Sequence, residues 1–335
     1  MYAYDLDMNR AGISLSAVCV ISGLLLVAGC SGGGDLSTRG TSNTGGGSGA
    51  TRSGSTADNS TLHLALSRFD SSLAAKDLFA SFGDTAALSV LAAKETETWK
   101  LLALSGSIDA FATGPKQAAT IGADLSAAEY SISIGQPPGR LTLVAGGQDA
   151  DTITSAAKKA GYEGAGVLSQ KLDLENPLTV TVAQVEPKGD DLVVGGPGAK
   201  LESVDPDGES LTDLDEVAAV VECLGDVVAA QIAPNSENID LLGVGVRSVD
   251  RGAQSVMCVK PKSPAEAKGI ATDVADALKN GTMSNGQPYT KFFENVDVVA
   301  AGGVVKMTAD NTANGQANTI LQMVLSRDLP ALPGY

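Results

Sequence analysis

The stretch Gln254–Gly281, QSVMCVKPKSPAEAKGIATDVADALKNG, carries a complete strand-to-helix transition. Its opening, SVMCV, is a short apolar run and reads as a strand. Ser263 and Glu266 then stand at capping-box spacing. Pro264 occupies the first helical position, where a missing N–H costs nothing. Ile270, Val274, Ala277 and Leu278 form an apolar stripe at helical spacing, and Asn280–Gly281 ends it. A helix with one apolar stripe must lay that stripe on something, and the preceding strand supplies the sheet.

The same grammar recurs upstream. In Arg140–Gly161, RLTLVAGGQDADTITSAAKKAG, an alternating run is followed by Asp149 as helix cap and Gly161 as helix end. In Leu78–Ala93, LFASFGDTAALSVLAA, a short apolar run precedes Asp84 as cap. Further helices are expected near 212–225 and 315–327. Strands are expected at 128–134, 178–186, 190–195, 241–248 and 296–308, the last a hairpin about Gly302–Gly303. After residue 128 the order is strand, strand, helix, then two strands ending near 195. After 241 the order repeats and ends near 308. The helix-ending glycines Gly161 and Gly281 lie 120 residues apart. The expected fold is therefore α+β, with two tandem related units over 61–205 and 206–335. Each is an antiparallel sheet with helices packed on one face.

The N-terminus has a different character. Ile13 to Ala28 is almost wholly apolar or small, too short for a comfortable membrane span, and reads as the core of a signal peptide. A start at Met8 would give it a net positive leader. The run ends in VAGC, Val27 to Cys30, which resembles the bacterial lipobox: an aliphatic residue, two small residues and a cysteine. That resemblance, confined to these four residues and their context, implies cleavage after residue 29 and diacylation of the Cys30 thiol. It makes the lipid bilayer a partner through the Cys30 acyl anchor, and it places the chain outside the cytoplasm on the cell membrane. The following residues, 30–60, are rich in Gly, Ser and Thr and read as a tether, whose r.m.s. reach is roughly 30 Å.

Of four cysteines, Cys19 would leave with the signal peptide and Cys30 would carry lipid. Cys223 and Cys258 remain, an even count in an oxidising compartment, and are expected to pair as a disulfide, with two buried thiols as the alternative. They lack the ligand number and spacing for zinc.

Composition excludes some functions. Net charge is −16, which disfavours nucleic acid. Aromatic residues are 4% of the chain, so the core must be aliphatic and a carbohydrate-stacking platform is disfavoured. The single histidine, His63, rules out a Ser-His-Asp triad anywhere else and sits at the edge of the body. Asp205, Asp207 and Glu209 in DPDGESLTDLDE are weak candidates for a metal, without the EF-hand pattern; a turn leading into a helix explains them equally. GGPGAK (Gly195–Lys200) misses the phosphate-binding loop pattern, and GVGV (Gly243–Val246) misses the dinucleotide pattern. Trp99 is read as core, and Asp84 as a cap rather than part of an anion site. No cofactor and no catalytic residue is assigned. The reading is a non-enzymatic binding or interaction module at the cell envelope, with an unknown envelope protein or small ligand as partner. The alternatives are a carboxylate-based envelope hydrolase, or a carrier of a small apolar ligand between the two units.

Overall fold

The computed structural model describes residues 60–74, 78–102, 104–111, 114–234 and 239–332. The signal segment, Cys19, Cys30 and the tether up to residue 59 lie outside them. In chain order the body runs α1 (Thr61–Ser67), β1 (Ala80–Gly83), α2 (Thr85–Lys94), α3 (Thr96–Trp99), α4 (Pro115–Thr120), β2 (Tyr130–Ile134) and β3 (Leu141–Ala145). It continues with α5 (Ala150–Lys159), β4 (Glu163–Ala165), β5 (Val167–Ser169), α6 (Leu178–Thr181), β6 (Gln184–Lys188), β7 (Asp191–Gly195) and α7 (Asp215–Leu224). The last third holds β8 (Ala229–Ala233), β9 (Ile239–Val249), β10 (Gly252–Pro261), α8 (Ala267–Asn280), β11 (Phe293–Ala301), β12 (Val304–Asn311) and α9 (Thr319–Ser326).

The fold is mixed helix and antiparallel sheet. The twelve strands among the described residues join one sheet in the order β11-β12-β10-β9-β8-β1-β2-β3-β7-β6-β5-β4. The sheet is continuous across the middle of the chain because β1 pairs with β8, with Ser81 opposite Gln231 and Phe82 opposite Ala230. Walking outward from that central pair, one side meets β1, β2, β3, β7, β6 and the other β8, β9, β10, β12, β11. In both directions a strand is followed by a hairpin (β2–β3, β9–β10), a helix (α5, α8) and a second hairpin (β6–β7, β11–β12) entered in reverse order.

Most local expectations are met by visible chemistry. Asp84 and Asp149 accept the backbone N–H of Ala87 and Thr152 at 2.8 and 2.7 Å and start α2 and α5. Gly302 and Gly303 turn the β11–β12 hairpin with φ of 60° and 79°, as a two-residue hairpin turn requires. Two expectations fail. Ser263 makes no side-chain cap; Pro264–Glu266 form a 3₁₀ turn and α8 begins at Ala267. Residues 178–181 are helix, and the strand begins at Gln184. There Asn176 Oδ1 accepts from the Leu178 N–H and Thr179 Oγ1 donates to the Asp173 carbonyl, so local capping overrides the β-branched composition.

The helices do not lie on one face, as the sequence suggested; they cover both. Strands β9, β10 and β7 carry apolar residues toward both faces, so each face needs cover. One face, called here the closed face, carries Phe82, Ile132, Leu143, Val193, Ile232, Leu241 and Val256 in a single cluster beneath α1 and α7. Gly243 and Gly245 on β9 belong to this face. A Cβ on Gly243 would stand 2.5 Å from Val220 of α7, so the GVGV glycines let that helix sit directly on the sheet. A disulfide joins Cys223 of α7 to Cys258 of β10 over a separation of 35 residues.

The opposite face carries two separate clusters. One packs Val244, Met257, Val259 and Met307 under α8 and α9 and includes Trp99. The other packs Val144, Leu192, Val194 and Val185 under α4, α5 and α6. Between them the strands present Ser81, Ser131, Ser133, Thr142 and Gln231.

Candidate functional site

This polar seam arises from strand alternation. Phe82, Ile132 and Leu143 point to the closed face, so their neighbours Ser81, Ser131, Ser133 and Thr142 point to the other. The first-half side of the seam is sealed by chain. Ser131 Oγ donates to the Ser105 carbonyl at 2.9 Å, Ser133 Oγ donates to the Gly106 carbonyl, and Ser133 and Thr142 share a hydrogen bond of 2.7 Å. The approach is so close that a Cβ on Gly83 would stand 2.2 Å from the Ser105 carbonyl oxygen.

Over the central β1–β8 pair no segment among the described residues seals the seam, and a groove of about 330 Å³ remains. Its floor holds Ser81 and Gln231. One wall is Leu101, Leu102, Ser105 and Ile108; the other is α9, through Leu321, Gln322 and Leu325, with Asn318 at its N-terminal cap. Leu101, Ile108 and Leu325 stand at the rim and are 58%, 52% and 60% exposed. Gln231 Oε1 is buried and has no hydrogen-bond partner among the described residues, a condition that costs roughly 1–3 kcal/mol when nothing relieves it. Arg140 and Asp109 close one end. The Arg140 guanidinium donates to the Asp109 carbonyl at 3.1 Å and lies 3.7 Å from its carboxylate. Among the described residues lining the groove these two are the charged ones, and their charges cancel.

Carboxylate chemistry of the glycosidase kind needs two acids facing one another across the substrate, and among the described residues lining this groove Asp109 is the one acid. A second, polar groove of about 580 Å³ is lined by Glu95, Glu97 and Glu294 with Arg251. All three acids are exposed to solvent.

The residues singled out from sequence go elsewhere. Asp205 is the acceptor of an ion-pair network: Arg68 donates to both its oxygens at 2.6 and 2.7 Å, and Lys188 lies 2.9 Å away. Arg68 also reaches Asp191 at 2.6 Å. Hydrogen bonds from Arg68 hold the Asp205 carboxyl down to about 2. With its oxygens engaged by cations, Asp205 is not available to a metal. Asp207 and Glu209 are exposed and complete no cluster with it, and no group of three or more His, Cys, Asp or Glu among the described residues is arranged to hold one. His63 lies in the first turn of α1, where its backbone N–H is capped by Ser60. Trp99 is 1% exposed. GGPGAK is a loop folded back on Pro138, with Gly198 N–H donating to the Pro138 carbonyl at 3.1 Å. None of these lines the groove, whose own residues carry no motif. Their nearest sequence signal is Ser81, a polar residue set between the apolar neighbours of β1.

No helix among the described residues is long and apolar enough to cross a membrane. No protein-family model matches the chain, and no curated protein matches it in sequence. Among solved structures it is similar to crystal form I of TP0453, with a TM-score of 0.42 and 8% sequence identity; the match covers 76% of this chain and 98% of that one.

Proposed function

We propose that the chain is an exported envelope lipoprotein, anchored to the cell membrane by acyl groups on Cys30, whose body is a binding module. In this reading residues 1–29 are a signal peptide and the residues up to 60 a tether. The body consists of two related halves that meet at the β1–β8 pair. The matching strand orders on the two sides of that pair support the relation between halves. The Cys223–Cys258 disulfide is of a kind formed in oxidising compartments and supports export.

The observation that carries the binding role is the groove over Ser81 and Gln231, where exposed leucines flank an unsatisfied polar floor. A soluble protein has reason to keep apolar side chains at such a rim when something comes to cover them.

Two measurements test the reading. Radiolabelled palmitate should enter the wild-type chain and not Cys30→Ala; equal labelling of both would remove the anchor. A photo-cross-linking residue at position 325 should capture a ligand in intact cells, and one at position 64, also exposed but on the closed face, should not. No capture from 325, or the same capture from both positions, would remove the groove from the function.

A further inference from the structure

We infer that the groove takes an extended peptide segment that is uncharged and aliphatic, contributed by a neighbouring envelope protein. The inference rests on the binding-module reading above and names its ligand class. Three observations converge on it. The first is the chemistry of the lining. Gln231 and Ser81 on the floor, Asn318 at the cap of α9, Gln322 on that helix, and Ser105 and Gln136 opposite are all neutral groups that both donate and accept. A peptide backbone offers the same pair of functions at every residue. An acyl chain would strip water from six such side chains and return no hydrogen bond, each loss being unfavourable. A sugar would need aromatic platforms, and among the described residues this groove presents only Phe79.

The second observation is the rim. Leu101 and Ile108 face Leu321 and Leu325 across the floor. Aliphatic side chains on a bound segment would cover the three that are exposed, while its backbone lay toward the floor. The third is charge. The chain is strongly acidic, yet the groove carries one cation and one acid held against each other. A cationic peptide would find its complement elsewhere on the surface, and an anionic one would meet repulsion on approach. A neutral segment is left. The unpartnered Gln231 Oε1 supplies the specificity, because a backbone N–H brought to it removes the cost of its isolation.

The test uses the full-length chain, immobilised, and phage-displayed random heptapeptides. Selection should enrich uncharged sequences with Leu, Ile or Val at alternating positions. A fluorescein-labelled peptide of the consensus should bind the chain, and Leu101→Glu and Leu325→Glu should each weaken it by at least about tenfold. Leu64→Glu, the same change on α1, should leave it unaltered. Gln231→Leu separates peptide from lipid. It should weaken the peptide by about tenfold, since a donor then meets hydrocarbon. It should leave dodecyl maltoside unable to displace the peptide. Failure to enrich any sequence, a charged consensus, or peptides indifferent to both rim variants would overturn the inference. Tighter binding to Gln231→Leu, with displacement by dodecyl maltoside, would overturn it in favour of an acyl ligand. If the peptide class fails while the residue at position 325 still captures a ligand in cells, the binding module stands and only its ligand class changes.

Discussion

The two faces of the sheet are built from the same strands and end differently. On the closed face one apolar cluster runs without interruption from β7 through the central pair to β10, under two helices. On the other face the apolar surface is divided in two, and the division falls on Ser81, Gln231 and the serines of β2. Alternation forces the link: a strand that turns Phe82 one way must turn Ser81 the other. The lesson is a division of labour. Continuity on the closed face runs across the β1–β8 pair, which leaves the opposite face free to stay open over that pair.

The largest expected effect tests the closed face. Replacing both cysteines, Cys223→Ala with Cys258→Ala, removes the staple between α7 and β10 and should cost about 3–4 kcal/mol. Urea unfolding with and without reductant checks it. Reductant should bring the wild-type chain to the stability of the double variant and should not shift the variant. A variant as stable as the oxidised wild type would mean that burial alone holds α7.

Next come two glycines, one beneath each face. Gly83→Ala drives a Cβ against the backbone carbonyl of Ser105 at 2.2 Å, and a main-chain oxygen pinned over the seam cannot step aside. Gly243→Ala meets side chains instead, Val220 at 2.5 Å and Leu224 at 2.9 Å, which can repack. Overpacking costs typically about 1–3 kcal/mol. Gly83→Ala should sit at the upper end and Gly243→Ala at the lower, measured as unfolding midpoints. The reverse order would show that the sealed part of the seam yields more readily than the packing of α7 on the sheet.

A smaller effect lies at the margin of the closed face, where Arg68 at the end of α1 grips Asp191 and Asp205. The Asp205 carboxyl is held at about 2 in the folded chain, below its ordinary value of 3.8. Its ion pairs therefore stabilise the fold above pH 4, and that contribution is lost as pH falls from about 4 through about 2. A third of the side chain is exposed, so solvent screening limits the contribution to about 1 kcal/mol. Asp205→Asn should remove this part of the acid sensitivity while tolerating the left-handed backbone, φ 58°, at that position. Identical acid titrations of stability for the two chains would dissociate Asp205 from the effect.

How much of this was legible follows from what each feature depends on. The strand–helix order, the caps at Asp84 and Asp149, the Gly302–Gly303 turn and the Cys223–Cys258 pair are local or nearly so, and residue chemistry announces them. Cover on both faces was also written in β9 and β10, in the near-continuous apolar run LLGVGV and in SVMCV, but a single stripe on α8 drew the reading to one face. Residues 178–181 misled because Thr and Val favour strands, while Asn176 and Thr179 supply capping bonds that only the folded loop assembles. Asp205 looked like a metal ligand because its partners, Arg68 and Lys188, are 137 and 17 positions away. The groove was out of reach for the same reason. Ser81, Leu101, Gln231 and Leu325 share no spacing, and they meet only because β1 pairs with β8 and α9 returns across that pair.

The smallest expected effect is the one that separates function from stability. Leu325→Glu and Leu101→Glu alter rim side chains that are more than half exposed, so little apolar area is returned to water when they change. Substitutions of this kind usually stay within about 0.5 kcal/mol. Each variant should therefore unfold at the wild-type midpoint although its groove has lost an apolar rim residue. Leu321 and Leu102, which also line the groove, are 5% and 2% exposed and belong to the adjoining core; truncating either to alanine should lower the unfolding midpoint, because it leaves a cavity in packed surroundings. A groove whose outer residues bear no stability while its inner ones do is what an open binding site on a rigid wall requires. If Leu325→Glu destabilised the fold as much as Leu321→Ala, the rim would be part of the core and the open face would be closed in solution.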